Sequence, residues 1–478
     1  MRDKWGLRWL LPCLSILLLG VSSRKEVRAD HTGAWSEPVV IFEGEPGSIQ
    51  SPVLASDGAG AVHALWTTED QGESDDVLAQ AIYYSHLEDG RWSQPVDIVS
   101  ALETRFPTAA VDLRGTMHIL WQGDNLQYFT AWAYLGVATS ARGWSTPIPL
   151  GMGNLSGQIV ADRHGVLHVA FPGLGNEGPV YRSSSDGGKE WSIPKNVASP
   201  ATAELSVDWV RLGINDRGSI HVVWTEFELP NGWPPTGVYY ARSSDGGETW
   251  STPTKIAGEG FDQISVAVVG EEIVHVAWNG MAGVYGRYHR SSSDSGESWS
   301  DTLAITTGGA TSGLPQMALD SAGVLHLLTS VDECAQYANW SPETKKWTEL
   351  ECISGPEARA SEWIEEPALA ISGGNNLHAL FWDSRERLWY SSLHTGAPSV
   401  DPVEFNRGET AAEPDLERVP SIPGESRSVS ADRSNDEARI SDSTRATGPG
   451  LSLAAGALTG ALSTAVIVTA VAALKRTR

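Results

Sequence analysis

Residues 243–250 of this chain read Ser-Ser-Asp-Gly-Gly-Glu-Thr-Trp, and closely similar stretches occupy residues 184–191 and 292–299. All three follow the pattern Ser-x-Asp-x-Gly-x-x-Trp. An aspartate at this position can accept hydrogen bonds from turn amides, and a glycine adopts a positive φ without steric cost. We interpret each copy as a β-hairpin turn built on Asp186, Asp245 or Asp294, with the tryptophan folded over its own hairpin. The pattern therefore indicates the fold of the chain and not, by itself, an activity.

A second repeat surrounds these turns and consists of a histidine within a short apolar segment. Its period is 50 to 55 residues, and a fixed period in this range indicates stacked supersecondary units. Polar and apolar residues alternate around each histidine, which predicts strands. The seven copies are centred on His63, His118, His168, His221, His275, His326 and His378.

Each unit is predicted to contain four strands, the last of which begins Trp-Ser-x-Pro. Four-stranded sheets repeated radially form a β-propeller. The seventh unit has no such final strand, but a spare copy lies at residues 35–42. We therefore predict an all-β fold, a seven-bladed propeller over residues 33–395 that is closed by its N-terminal strand. Closure would remove exposed sheet edges.

The regular recurrence of the histidines favours a structural role over a metal site, because metal ligands must converge on one coordination sphere. An Asp or Asn six residues earlier is predicted to hold the hairpin turn, and it recurs as Asp57, Asp112, Asp162, Asn215 and Asp320. No metal or other cofactor is expected.

Composition narrows the partners and the compartment. A net charge of -25 argues against nucleic acid and anionic membrane surfaces as partners. Cys334 and Cys352 are predicted to face each other across a hairpin whose turn lies at residues 342–344, where a disulfide would contribute about 3 kcal/mol. The alternative is two free buried thiols.

The two ends of the chain differ from its centre. Residues 1–29 have the basic start, apolar run and small-residue site of a secretory signal peptide, with an uncleaved anchor as the alternative. Residues 396–448 are predicted to form a disordered acidic and Pro-containing linker. Residues 451–474 carry no charge and precede a basic tail at 475–478, so we predict one transmembrane helix. The protein is expected to be exported, with the propeller outside and the C-terminus cytoplasmic.

The Ser-x-Asp-x-Gly-x-x-Trp turns resemble the Asp boxes of the sialidase superfamily, also called bacterial neuraminidase repeats. The resemblance implies that Asp186, Asp245 and Asp294 are scaffold, remote from the active site. Catalytic members have six blades and use three arginines, a Tyr-Glu pair and an acidic Asp. This chain departs from them in having seven repeats, and its nearest arginine motif, Thr104-Arg105-Phe106-Pro107, opens the second blade instead of the first.

Function in propellers generally lies on the face formed by the loops into the first strand and between the second and third strands. Carboxylates, arginines and Trp rings there suit a sugar, which stacks on aromatic planes and accepts charge-assisted hydrogen bonds. The same residues also suit a solvated protein rim. The predicted catalytic residues are Glu226 and Asp383, and the predicted substrate-binding residues are Arg105, Arg211, Arg287, Trp209, Trp233 and Arg385.

Three functions remain open from the sequence. The preferred one is a membrane-anchored, cell-surface propeller that binds a glycan or another surface ligand without hydrolysing it. The alternative is an exo-sialidase-type glycoside hydrolase. A further alternative is a structural or adhesion module whose partner is a protein.

Overall fold

The computed structural model describes residues 33–44, 49–69, 79–102, 104–134, 143–154, 156–199, 205–229, 234–281, 283–309 and 313–403. The predicted signal peptide, transmembrane segment and basic tail, and most of the predicted linker, lie outside these residues. Among the helices that are described, none has the length and apolar character needed to cross a membrane.

The described chain forms seven antiparallel sheets, which we number as blades in chain order. Blade 1 contains β2 (Ile49–Ser56), β3 (Val62–Glu69), β4 (Ala79–Glu88), β5 (Arg91–Trp92) and β6 (Val96–Leu102). Blade 2 contains β7 (Arg105–Val111), β8 (Thr116–Gln122), β9 (Gln127–Tyr134) and β10 (Ile148–Met152), with a 3-10 turn at Asp124–Leu126. Blade 3 contains β11 (Gln158–Ala161), β12 (Leu167–Pro172), β13 (Pro179–Ser184) and β14 (Lys195–Asn196). Blade 4 contains β15 (Leu205–Ile214), β16 (Ile220–Glu228), β17 (Gly237–Ser243) and β18 (Thr254–Ala257).

The remaining three blades follow the same order. Blade 5 contains β19 (Phe261–Val269), β20 (Ile273–Gly280), β21 (Gly286–Ser292) and β22 (Leu303–Thr307). Blade 6 contains β23 (Gln316–Leu319), β24 (Leu325–Val331), β25 (Cys334–Ser341), β26 (Lys346–Trp347) and β27 (Glu351–Cys352), and helix α1 (Gly355–Arg359) leads to blade 7. Blade 7 contains β28 (Ile364–Ser372), β29 (Asn376–Asp383), β30 (Arg387–His394) and the N-terminal β1 (Val39–Glu43).

The first strands of the blades form a closed inner ring. Each of β2, β7, β11, β15, β19, β23 and β28 contacts the first strand of the next blade, and β28 contacts β2. Closure is confirmed because β1 pairs antiparallel with β30, with Val39 opposite Tyr390. The Trp35 ring also packs edge-on against Tyr337 of blade 6, at 5.2 Å between ring centroids. The predicted seven-bladed propeller is therefore confirmed.

The repeated histidines hold the blades internally. In five blades the histidine Nδ1 lies 2.7–2.9 Å from a buried tyrosine hydroxyl on the next strand, and in blade 5 His275 pairs with His289 at 2.9 Å. In four blades Nε2 faces the aspartate six residues earlier, at 3.2–3.7 Å. That residue also binds the turn, as when Asp112 accepts from the backbone amides of Arg114 and Thr116. The structural role predicted for these histidines is confirmed.

The Asp boxes join neighbouring blades. Asp245 accepts hydrogen bonds from the Ser243 hydroxyl at 2.7 Å and the Thr249 amide at 2.9 Å, as the turn interpretation predicts. The prediction that the tryptophan folds over its own turn holds in the first box, where Trp191 Nε1 donates to the Gly188 carbonyl at 3.1 Å. In the second box Trp250 instead packs edge-on against Tyr181 of blade 3, at 5.4 Å between centroids. Gly247, at φ 87°, lies so close to that tyrosine that a Cβ atom would be 2.2 Å from its ring. Each box therefore packs on the preceding blade.

Cys334 and Cys352 form the predicted disulfide, with 5.8 Å between their Cα atoms. The predicted register is wrong, however, because Cys352 lies opposite Gln336 and is only diagonal to Cys334. The turn after β25 spans four residues, 342–345, instead of three, so Ser341 pairs with Lys346. The break between β26 and β27 shifts the register by one further residue.

Candidate functional site at the upper mouth

The inner strands share a distortion at the end opposite the Asp boxes. In five of them the ladder with the second strand shifts register at the same point, and a non-glycine residue adopts a positive φ there. The five residues are Ser51 (φ 51°), Phe106 (φ 50°), Trp209 (φ 48°), Gln263 (φ 48°) and Glu366 (φ 42°). Each lies twelve residues before its blade's histidine. Such strained backbone clusters at functional sites. We call these five residues, with Asp208 and Asp262 beside them, the upper mouth.

Two aromatic rings meet at the upper mouth. Phe106 of blade 2 and Trp209 of blade 4 pack edge to face, with 5.8 Å between centroids and an interplanar angle of 71°. The pair therefore spans the inner end of blade 3. The Arg211 guanidinium lies 5.7 Å from the Trp209 ring centroid. Trp209, a predicted substrate-binding residue, therefore lies beside an aromatic ring of another blade.

Two carboxyl groups occupy equivalent positions on adjacent blades. Asp208 lies on β15 and Asp262 on β19, each thirteen residues before its histidine. Burial, and then the charge of Asp262, raise the pKa of Asp208 to about 8. Burial raises the pKa of Asp262 to about 7, although hydrogen bonds from the Gln263 amide and the Thr225 and Trp209 side chains oppose it. The pair therefore holds protons near neutral pH.

Glu226 lies near the end of the buried part of β16 and is 3% exposed. Its Oε1 accepts a hydrogen bond from Trp224 Nε1 at 3.1 Å, and Oε2 has no partner among the described residues. Burial raises the pKa of Glu226, opposed by hydrogen bonds from Trp224 and Tyr239 and by the charge of Lys255. Glu226 is therefore desolvated, as the sequence predicts.

The three arginines predicted to bind an anion lie in three different blades. Arg211 of blade 4 donates to the Ser156 carbonyl at 3.1 Å and to the Ser156 hydroxyl at 2.9 Å, and burial lowers its pKa to about 10. Arg287 of blade 5 donates to Thr329 and to the Ser330 carbonyl in blade 6, and burial lowers its pKa to about 9. Arg105 lies in blade 2 and is partly buried. The hydrogen bonds of Arg211 and Arg287 thus go to different blades.

The other predicted residues lie away from this pair of aromatic rings. Asp383 of blade 7 is fully buried and accepts from Trp389 Nε1 at 2.9 Å and Arg387 Nε at 2.9 Å. Glu226 and Asp383 are three blades apart, the largest separation that a ring of seven allows. Arg385 is exposed and donates to the Ala360 carbonyl at 2.8 Å. Trp233 lies outside the described residues. The catalytic and binding roles of all these residues stay predictions.

Three upper-mouth residues were missed from the sequence, namely Phe106 as a ring partner, Asp262 and Gln263, together with Asn279 on the neighbouring strand. Asn279 Nδ2 donates to the Gly313 carbonyl at 2.8 Å and to Gln263 Oε1. A usable signal existed, because counting back twelve and thirteen residues from each histidine identifies Phe106, Gln263, Asp208 and Asp262 directly.

Comparison with known proteins identifies the fold. No protein-family model and no curated protein matches the sequence. Among solved structures, an ulvan lyase from a new family of polysaccharide lyases, bound to GlcA(1-4)Rha3S, matches 75% of this chain and 96% of its own, with 12% identity and a TM-score of 0.52. The NanB sialidase from Streptococcus pneumoniae matches 74% of this chain and 70% of its own, with 13% identity and a TM-score of 0.43.

The chain is a seven-bladed β-propeller in fold. The Hadza microbial sialidase Hz136 also matches, over 73% of this chain and 66% of its own, with 14% identity and a TM-score of 0.42. At 12% identity, the ulvan lyase match supports the fold alone. The activity of this propeller has to be argued from its own residues.

Proposed function

We propose that this protein is an exported, membrane-anchored propeller that binds a glycan at its upper mouth without hydrolysing it. The Phe106–Trp209 pair carries the proposal, because it presents aromatic surface at the inner end of the blades on two strained backbone positions. Aromatic planes are the usual stacking partners of sugar rings. The ulvan lyase, whose complex contains GlcA(1-4)Rha3S, provides a precedent for glycan recognition on a related fold.

A glycan array probed with the full-length protein in mild detergent tests this proposal. We expect selective binding that falls by about tenfold in Phe106→Ala, because an aromatic contact of this kind contributes roughly 1 kcal/mol or more. Leu113→Ala is the matched control, since Leu113 is 53% exposed in the opposite turn of the same blade. A protein that binds no glycan on the array, but crosslinks to a protein partner, would favour the adhesion module instead.

The membrane anchor requires its own test. We expect protease added to intact cells to release the propeller, because the linker at 396–448 would connect it to the segment at 451–474 on the outer side. Deleting residues 451–474 should place the protein in the medium. Retention of that variant in the cell fraction would contradict the proposed topology.

A sialidase-type hydrolase is the second candidate, and one contact favours it. The Tyr239 hydroxyl hydrogen-bonds to Glu226, which is buried. Burial of Tyr239, and then the charge of Glu226, raise the pKa of Tyr239. A nucleophilic tyrosine with a glutamate base is what the resemblance to sialidases implies. The dispersed hydrogen bonds of Arg211 and Arg287 count against it. Turnover of a fluorogenic sialoside that is lost in both Glu226→Gln and Tyr239→Phe would establish the hydrolase and overturn the binding function.

A further inference from the structure

The two carboxyl groups of the upper mouth share a set of neighbours. The Thr225 hydroxyl donates to the Asp208 carbonyl at 2.9 Å, and the Thr225 side chain also lies beside the Asp262 carboxyl group. The Trp209 side chain hydrogen-bonds to Asp262 as well, so the indole that follows Asp208 reaches the next blade. Asp208, Trp209 and Asp262 therefore form one compact group at the junction of blades 4 and 5.

This group contains no positive charge. Among the residues that the structure describes, neither Asp208 nor Asp262 forms an ion pair with a lysine or arginine. Arg211 lies by Trp209, but its hydrogen bonds go to Ser156, Gly157 and its own backbone neighbour. Asp262 is only 5% exposed, and its Oδ1 has no hydrogen-bond partner in the described chain. A buried carboxylate oxygen without a partner is costly, so Asp262 Oδ1 is an acceptor that a bound group could satisfy.

Three partners could complete the group, namely a metal ion, a shared proton or an ammonium group. A hard divalent cation needs about six oxygen ligands, and the described residues contain no cluster of three or more metal-ligating side chains. An ammonium group supplies three hydrogen-bond donors and one positive charge. It is also attracted by an aromatic face, and the Trp209 ring lies beside Asp262 and packs against Phe106.

We propose that Asp208 and Asp262 form a subsite for a protonated amino group, so that the glycan held at the upper mouth carries a free amino sugar. This inference rests on the proposed glycan-binding function. It assigns the aromatic pair to the sugar ring and the carboxyl pair to the ammonium group. Asp262 Oδ1 is the acceptor that the ammonium group would satisfy.

The same arrangement predicts proton release on binding. The raised pKa values of Asp208 and Asp262 mean that protons occupy the pair when no cation is present. Tyr128 also interacts with Asp208, and the Arg211 charge acts on the same tyrosine. Because an ammonium group stabilises both carboxylates, its binding should displace a proton into the buffer.

Calorimetry with the full-length protein in mild detergent tests the inference, using a glucosamine tetramer and an N-acetylglucosamine tetramer as probes. The two sugars differ at the amino group, so we expect the glucosamine tetramer to bind at least about tenfold more tightly. Titrations in buffers of different ionisation enthalpy should show proton release for that sugar alone. Asp262→Asn and Asp208→Asn should each remove most of the preference, and both should fold because asparagine mimics the neutral carboxyl group.

Asp216→Asn is the matched control, because Asp216 is exposed in the opposite turn of blade 4 and its loss changes the net charge equally. It should keep the preference. Equal affinity for both sugars would overturn the inference while leaving glycan binding intact. Binding that appears only with added Ca²⁺ and is lost with chelator would overturn it in favour of a metal site. If neither tetramer binds, the inference fails, and the array then decides whether the proposed function fails with it.

Discussion

The two ends of this propeller use repetition in opposite ways. At the end that carries the Asp boxes, equivalent positions hold the same chemistry in blade after blade, and their polar groups are paired. At the upper mouth, equivalent positions hold Ser51, Phe106, Trp209, Gln263 and Glu366 on the same strained backbone. In the scaffold, the same residue types therefore recur from blade to blade. In the candidate site, the backbone geometry recurs but the residue types differ between blades.

The largest expected effect comes from opening the ring at its closure. Deletion of residues 35–42 removes the strand that pairs with β30 and the Trp35 contact with blade 6. We expect the free energy of unfolding to fall by more than about 5 kcal/mol, with loss of cooperative thermal unfolding. A synthetic peptide of residues 33–44, added in trans, should restore part of the stability. A deletion variant that melts like the wild type would refute closure by this strand.

A smaller effect is expected within one Asp box, where two adjacent glycines provide a matched pair. Gly247→Ala places a methyl group 2.2 Å from the Tyr181 ring, whereas Gly246→Ala meets nothing within 4 Å, and both residues have positive φ. We expect Gly247→Ala to cost about 3 kcal/mol and Gly246→Ala only about 1 kcal/mol in denaturant unfolding. Equal losses would show that the box does not depend on contact with the preceding blade.

At the upper mouth, we instead expect the stability of the protein to depend on pH. Asp208 and Asp262 bind protons more tightly in the folded state, since their pKa values rise from 3.8 to about 8 and about 7. Their contribution to stability is therefore complete below about pH 4 and is lost as the pH rises through these values. We expect the Asp208→Asn, Asp262→Asn double variant to be more stable than the wild type near pH 8 by at least about 1 kcal/mol.

The control for that experiment is the same comparison near pH 4, where both carboxyl groups are neutral and the difference should vanish. The measurement is chemical denaturation across the pH range. Parallel stability curves for the two proteins would show that the pair is not buried together.

The sequence predicted the fold well because each blade repeats its signals. The histidine period, the Asp boxes and the spare strand at residues 35–42 all point to seven closed blades, and the structure has them. The register around Cys352 was wrong because one extra turn residue and a strand break leave no trace in the alternation pattern. The contact of Trp250 with the preceding blade was not predicted, because the local pattern does not reveal which neighbour a ring reaches.

The candidate site was predicted only in part. Arg211, Arg287 and Asp383 have suitable chemistry for a site, but their side chains are engaged in hydrogen bonds within the fold. The sequence alone does not show which side chains are already hydrogen-bonded within the fold. Asp262 was missed because it looks ordinary in its own strand, and only its alignment with Asp208 in the preceding repeat shows that two carboxyl groups face one junction.

Two tryptophans provide the most direct test of the division between scaffold and site. Trp209→Ala should weaken glycan binding by about tenfold or more while changing the free energy of unfolding by less than about 1 kcal/mol. Trp250→Ala should do the reverse, with a loss of about 2 to 3 kcal/mol in stability and affinity within about twofold of the wild type. If Trp250→Ala abolished binding in a protein that stayed folded, or Trp209→Ala only destabilised the propeller, the account would be contradicted.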